Sequence, residues 1–254
     1  MRRFLRLIVV ITIHCQLSIV ISSCTQDAYE KGEGNFSLLR GDFAEANVNG
    51  SCEVISITTD DGETLPLKTL YTAQWVSRAD TVYRCMLYYN KLEGTDGKPV
   101  AEVLSMGKVS CPPIIPLLKY DSYKNDPVKF ESLWKSKSGK YLNLHLQLKT
   151  GQTEDSTAAR SLAFVTDGLI SHPDGHRTLS VLLYHDQGGV PEYYSTQAYL
   201  SIPTAGLLVD SVRLYLNTYS GPVVKTLSIR KVLFQIVIDE CLAGVEILLF
   251  PGRT

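Results

Sequence analysis

The sequence predicts an all-β protein built as a five-stranded OB-like barrel followed by an immunoglobulin-like β-sandwich. Three observations carry this. Apolar residues alternate with polar ones through much of the chain, the period of a strand with one buried face. Between Leu39 and Ser110, five strand-like runs follow one another with no helical run among them. Cys111-Pro112-Pro113-Ile114-Ile115-Pro116 then interrupts the pattern, and alternation resumes beyond it.

The chain opens with a leader. Arg2, Arg3 and Arg6 precede the apolar run from Leu7 to Ile21, and Ile21-Ser22-Ser23-Cys24 closes it. A basic start, a short apolar core and small residues before a cut describe an export signal over residues 1–23. A cysteine directly after the small pair is the pattern of a lipobox. Cys24 is therefore the expected lipidation site, because several acyl chains on one residue give lasting membrane attachment. The apolar run is too short for a span, which needs ~20 residues. Residues 24–38 are polar, with Gly32 and Gly34 among charged residues, and read as a tether.

The barrel is expected over residues 39–116. Its strands are placed at Phe43–Val48, Cys52–Thr58, Glu63–Thr69, Thr81–Asn90 and Val100–Val109. Thr59-Asp60-Asp61-Gly62 is the hairpin turn between the second and third, since Asp-Gly accepts positive φ. Pro66 lacks a donor, so the third strand is expected at an edge. In the fourth, Val82, Arg84 and Met86 oppose Tyr83, Cys85 and Leu87. The prolines from Pro112 to Pro116 stiffen the chain and mark the boundary.

The sandwich is expected over residues 117–231. Leu142, Leu144, Leu146 and Leu148 point one way from Tyr141, Asn143, His145, Gln147 and Lys149. Further strands fall at Ser161–Val165, Leu179–Tyr184, Tyr193–Ile202, Ser211–Tyr219 and Val223–Arg230, all expected antiparallel. The tail, 232–254, is rich in apolar residues without alternation, and its fold is left open.

Export also bears on charge and cysteines. Loss of residues 1–23 removes three arginines and no acid, so the net charge of −1 becomes −4. A mixed, mildly acidic surface argues against nucleic-acid binding. Cys52, Cys85, Cys111 and Cys241 remain, with three pairings or none open to them. Their spacing is not that of a zinc site.

No catalytic set emerges, and no cofactor or metal site is expected. His172-Pro173-Asp174-Gly175-His176 has metal-binding residue types, but Pro173 and Gly175 argue for a solvated turn. His185-Asp186 lacks a recognisable nucleophile and reads as a strand end. Tyr83, Tyr88 and Tyr89, with Tyr71 and Trp75, could stack a sugar or peptide or fill the barrel. Asp80-Thr81-Val82, Asp155-Ser156-Thr157 and Asp210-Ser211-Val212 fit a bacterial O-glycosylation triplet, and only the second lies in a polar loop.

Asp121-Ser122-Tyr123-Lys124-Asn125-Asp126-Pro127-Val128, then Leu133-Trp134 and Tyr141-Leu142-Asn143-Leu144, resemble the start of the C-terminal domain of NigD-like lipoproteins of Bacteroidetes. The run Val100–Val109 before Pro112-Pro113 resembles the end of that family's first domain. The resemblance implies an acylated envelope protein with an OB-like domain and a β-sandwich, and carries over no functional residue beyond Cys24. The leading expectation is a non-enzymatic binding or assembly module with a glycan or protein partner. It would be held at the outer membrane through Cys24, with either face open. The alternatives are a hydrolase or metal-dependent enzyme using the loop histidines, and a bacteriocin self-protection protein.

Overall fold

The computed structural model describes residues 38–155 and 157–230. The leader, Cys24, nearly all of the tether, Ser156, Cys241 and the tail lie outside them.

Five strands form the barrel: β1 Leu39–Val48, β2 Val54–Thr59, β3 Thr64–Tyr71, β4 Val82–Glu93 and β5 Pro99–Lys108. They close in the order β1-β2-β3-β5-β4, with β4 returning to β1. Alternation fills the interior. Ala44, Ala46 and Val48 of β1 meet Cys85, Leu87 and Tyr89 of β4 in one buried cluster. The turn after β2 forms at Gly62, where φ is 87° and the amide donates to the Thr59 carbonyl at 2.9 Å.

Closure corrects the expectation for Pro66. Strand β3 is not an edge; it pairs with β2 and, in parallel, with β5. The missing donor is tolerated because the β3–β5 seam is narrow, registered at Leu67 opposite Ala101.

Eight strands build the sandwich: β6 Ile114–Pro116, β7 Lys129–Lys135, β8 Tyr141–Thr150, β9 Ser161–Ser171, β10 Arg177–Asp186, β11 Tyr194–Pro203, β12 Ser211–Leu216 and β13 Val223–Ser228. One sheet runs β13-β12-β10-β9-β6 and the other β11-β8-β7. Leu142, Leu144, Leu146 and Leu148 point into the core between them, beside Phe164, Val181 and Leu214.

Two pairings depart from the expected antiparallel pattern: β10 with β12 and β6 with β9 are parallel. The first follows from topology. Strand β11 crosses to the other sheet, so β12 re-enters its own sheet running with β10. The second arises because the proline segment does not simply link the domains. Ile114–Pro116, which the sequence boundary leaves with the barrel, adds a short strand beside Phe164–Thr166. Strand β7 has no clean alternation in the sequence. A register shift between Phe130 and Ser132 breaks its alternation.

Candidate functional site

Barrel and sandwich meet around one arginine. Arg84 lies on the outer face of β4, the face a small barrel normally gives to water. Here the sandwich covers it, and its side chain is 2% exposed. Its guanidinium reaches both carboxylate oxygens of Asp60 at 2.7 Å, donates to Asn143 Oδ1 at 3.0 Å, and reaches Ser201 Oγ at 3.3 Å. Asn143 Nδ2 donates to Asp60 Oδ2 at 3.0 Å, and Ser201 Oγ donates to Asn143 Oδ1 at 2.8 Å. Tyr141 stacks below, its ring centroid 4.0 Å from the guanidinium carbon. A buried fork of donors needs such a planar acceptor, and Asp60 supplies it from the β2–β3 turn.

A second set of bonds flanks this joint. Glu45 of β1 accepts from the Tyr141 hydroxyl at 2.9 Å and from Lys140 at 2.8 Å. Burial pushes its carboxyl up, but these two donors and the charges of Lys140 and Arg84 outweigh burial and hold it below its ordinary value. The turn between β7 and β8, closed at Gly139 with φ 72°, presses on the barrel turn: the Ser138 amide donates to the Asp60 carbonyl at 2.7 Å.

Beside the joint lies a cleft of about 370 Å³ between the two domains. Phe43 and Trp134 supply aromatic surface, packed edge to face with centroids 5.4 Å apart. Met86 adds a flexible apolar wall, and Asp42, Asp61, Ser136 and Lys137 bring polar groups to it. The charges are largely balanced. Lys137 pairs with Asp61 at 3.0 Å across the domains, and Asp42 accepts from the Tyr89 hydroxyl at 2.9 Å. Burial, then the Asp42 charge, pushes the Tyr89 phenol up to about 12. The lining includes no histidine or cysteine. The arrangement offers stacking and hydrogen bonding to a ligand of mixed polarity.

The residues singled out from sequence fall elsewhere. His172 to His176 is the β9–β10 hairpin turn, its ends joined by the His172 amide and His176 carbonyl at 2.8 Å. His172 Nε2 meets Thr178 Oγ1 at 2.9 Å, and Asp174 accepts the His176 amide. Among the described residues no group of three histidines, cysteines or acids is placed to hold a metal. His185 is buried, with Nδ1 2.9 Å from the Asp126 carbonyl; Asp186 accepts the Gly188 amide. The barrel aromatics do not form one platform. Tyr89 is in the core, Tyr83 packs on Trp75, Tyr71 donates to the Met106 carbonyl, and only Tyr88 of the three tyrosines on β4 is exposed. Asp210 is buried and accepts the Arg177 amide, so its triplet is structural. Among the described residues, Cys52, Cys85 and Cys111 form no disulfide.

Sequence reasoning passed over Arg84, Asp60 and the cleft role of Trp134. An arginine on the outer face of a strand is the ordinary solvated case, and nothing local distinguishes Arg84 from it.

No protein-family model matches the chain, and no curated protein matches it. Solved structures do. A NigD-like immunity protein from Bacteroides caccae is 23% identical, with a TM-score of 0.57 over 73% of this chain and 91% of its own. A candidate toxin-related protein from Parabacteroides distasonis is 15% identical, with a TM-score of 0.56 over 80% of this chain and 98% of its own. A candidate lipoprotein from Bacteroides fragilis is 11% identical, with a TM-score of 0.54 over 76% and 99%. At these identities the likeness is one of fold, and the resemblance to NigD-like lipoproteins read from the sequence holds at that level: the chain has the architecture of these proteins.

Proposed function

We propose that this chain is a lipid-anchored envelope protein of NigD-like type that binds a glycan, without turnover, in the cleft between barrel and sandwich. The cleft carries the reading. Trp134 and Phe43 give an aromatic surface of the kind on which a sugar ring packs, while Asp61, Ser136 and Lys137 can bond hydroxyls at its rim. The paired charges favour a neutral, polyhydroxylated ligand over a strongly charged one. The buried Arg84 joint supports the site by fixing the two walls relative to each other.

The anchor is Cys24, and the outer membrane is its proposed address. The lipobox supports this, as does the structural likeness to a candidate lipoprotein. Among the described residues no helix is long and apolar enough to cross a membrane. Glycan-array binding by the native protein and by Trp134→Ala tests the ligand. The expected result is binding lost in the variant with its unfolding midpoint retained. Absence of glycan binding by the native protein, or binding indifferent to Trp134, would refute it. Membrane fractionation of Cys24→Ala tests the anchor, which predicts release of the protein.

A second reading is favoured by the fold shared with an immunity protein: self-protection against a bacteriocin. Deletion that leaves sensitivity to the producer's toxin unchanged would sink it.

A further inference from the structure

The outer face of the smaller sandwich sheet continues the cleft. Leu142, Leu144, Leu146 and Leu148 fill the core, so Asn143, His145 and Gln147 of β8 point the other way. The register sets Trp134 and Ser201 beside Asn143, Ser132 and Tyr199 beside His145, and Gln197 beside Gln147. Exposure rises along these rows away from the barrel. Asn143 and Ser201 are buried at the Arg84 joint, His145 and Tyr199 are half-buried, and Gln197 is exposed.

Phe43 joins the cleft to this face. Its ring packs edge to face on Trp134 and on Tyr199, with centroids 5.4 and 5.5 Å apart. Tyr199 in turn stacks on His145, with centroids 4.5 Å apart and planes 19° from parallel. Because Tyr199 flanks His145 from β11, the other face of the imidazole turns towards β7, where the small Ser132 stands opposite. Further along, His145 Nε2 meets Gln197 Oε1, and Gln147 Nε2 donates to Glu131 Oε1 at 2.7 Å. Lys129 balances the Glu131 charge at 2.9 Å.

These groups select the occupant. Past the joint the rows present rings, amides and hydroxyls, with the one carboxylate paired. An amide both donates and accepts, as a sugar hydroxyl does, and an aromatic ring takes the apolar face of a sugar. A protein partner calls for a desolvated apolar centre and a nucleic acid for net positive charge, which these rows do not supply.

We propose that the ligand of the cleft is a chain of several neutral sugars, which leaves the cleft past Phe43 and runs over His145 towards Gln197. This rests on the glycan reading of the cleft. The His145–Tyr199 stack is a second subsite, two residues along β8 from the Trp134 row, or about 7 Å. Gln197 bonds hydroxyls beyond it. Both subsites stand on one sheet, so contacts made by a longer chain add to those in the cleft.

Calorimetry of the full chain in a sugar-free detergent tests this with gluco-, manno-, galacto- and xylo-oligosaccharides, each as disaccharide and hexasaccharide. In at least one series the native protein is expected to bind the hexasaccharide about tenfold or more tighter than the disaccharide. His145→Ala and Gln197→Ala are each expected to remove most of that gain, and Trp134→Ala to weaken binding at both lengths. Gln197 is exposed, so its variant keeps the test open should His145→Ala fail to fold. Binding with no gain in any series, or a gain that survives Gln197→Ala and a folded His145→Ala, overturns the second subsite and leaves the cleft reading standing. No binding at either length, or hexasaccharide binding indifferent to Trp134→Ala, refutes the cleft reading and this inference with it.

Discussion

Arg84 and Asp60 form a two-pronged ion pair, 2.7 Å at each contact, with the arginine side chain 2% and the aspartate 17% exposed. One residue belongs to a barrel strand and the other to a barrel turn, yet the remaining hydrogen bonds of their side chains go to Asn143 and Ser201 of the sandwich. Removing the arginine leaves Asp60, itself 17% exposed at the edge of the cleft, without its cation. Arg84→Met is expected to cost about 3–5 kcal/mol, the range for breaking a buried pair. Arg84→Met with Asp60→Leu should recover part of that loss, since neither charge is then left alone. Urea unfolding of the native protein, both single variants and the double variant measures the coupling. Equal losses that simply add would show that the pair does not act as a unit.

The contrast between this joint and the rest of the fold shows what the sequence can disclose. Leu142 to Leu148 announced β8 because one face is apolar at every second residue, and all four leucines are buried. Asp60 was recognisable as part of a turn, because Asp-Gly chemistry is local. Its second role, as acceptor for Arg84, depends on where another domain packs. The same holds for Trp134, whose strand is bent by a register shift, and for the parallel β6–β9 and β10–β12 pairings. Pairing order is a long-range property, and period-two alternation is indifferent to it. The histidines stood out by residue type alone, and their surroundings turned out to be a hairpin and a core.

Glu45 links the joint to acid stability. Although burial raises its pKa, Lys140, Tyr141 and Arg84 hold the folded value below the ordinary 4.5. The stability this contributes is fully present above the unfolded value and is lost as pH falls through the lower, folded one. Glu45→Gln should therefore lower the unfolding free energy at neutral pH and flatten its decline below about 4.5. Urea titrations across the acid limb test this, and parallel curves for native protein and variant would contradict it.

His185 acts in a higher pH window. Burial lowers its pKa from the ordinary 6.5, although the Asp126 carbonyl favours the charged form. Below 6.5 the unfolded chain takes a proton that the fold resists. Stability is accordingly expected to fall as pH drops through 6.5 and to level off below the folded value. His185→Gln should remove that slope whatever its effect on absolute stability. NMR titration of the ring would locate the folded value directly; one at or above 6.5 would rule the effect out.

Cys85 tests the barrel core. Its side chain is fully buried on β4, and its thiol donates to the Ala44 carbonyl at 3.4 Å. Burial pushes the pKa up to about 12, despite the neighbouring Arg84 charge. At pH 8 the thiolate fraction is then roughly one part in ten thousand, and reagent cannot enter a closed barrel. Cys52 and Cys111 are only half-buried and form no disulfide among the described residues, so they are expected to react first. Mass-resolved alkylation over a urea series should show Cys85 modified along the barrel's own unfolding transition. Modification well before that transition would mean that the barrel opens locally while the rest of the fold persists. The thin parallel seam between β3 and β5, registered at Leu67 opposite Ala101, would then be the opening, since the β1–β4 seam holds nine registered pairs from Leu39–Asn90 to Asn47–Val82. Packing of Cys85 with Ala44, Ala46 and Leu87 in one buried cluster predicts instead that both seams hold until the barrel unfolds as a whole.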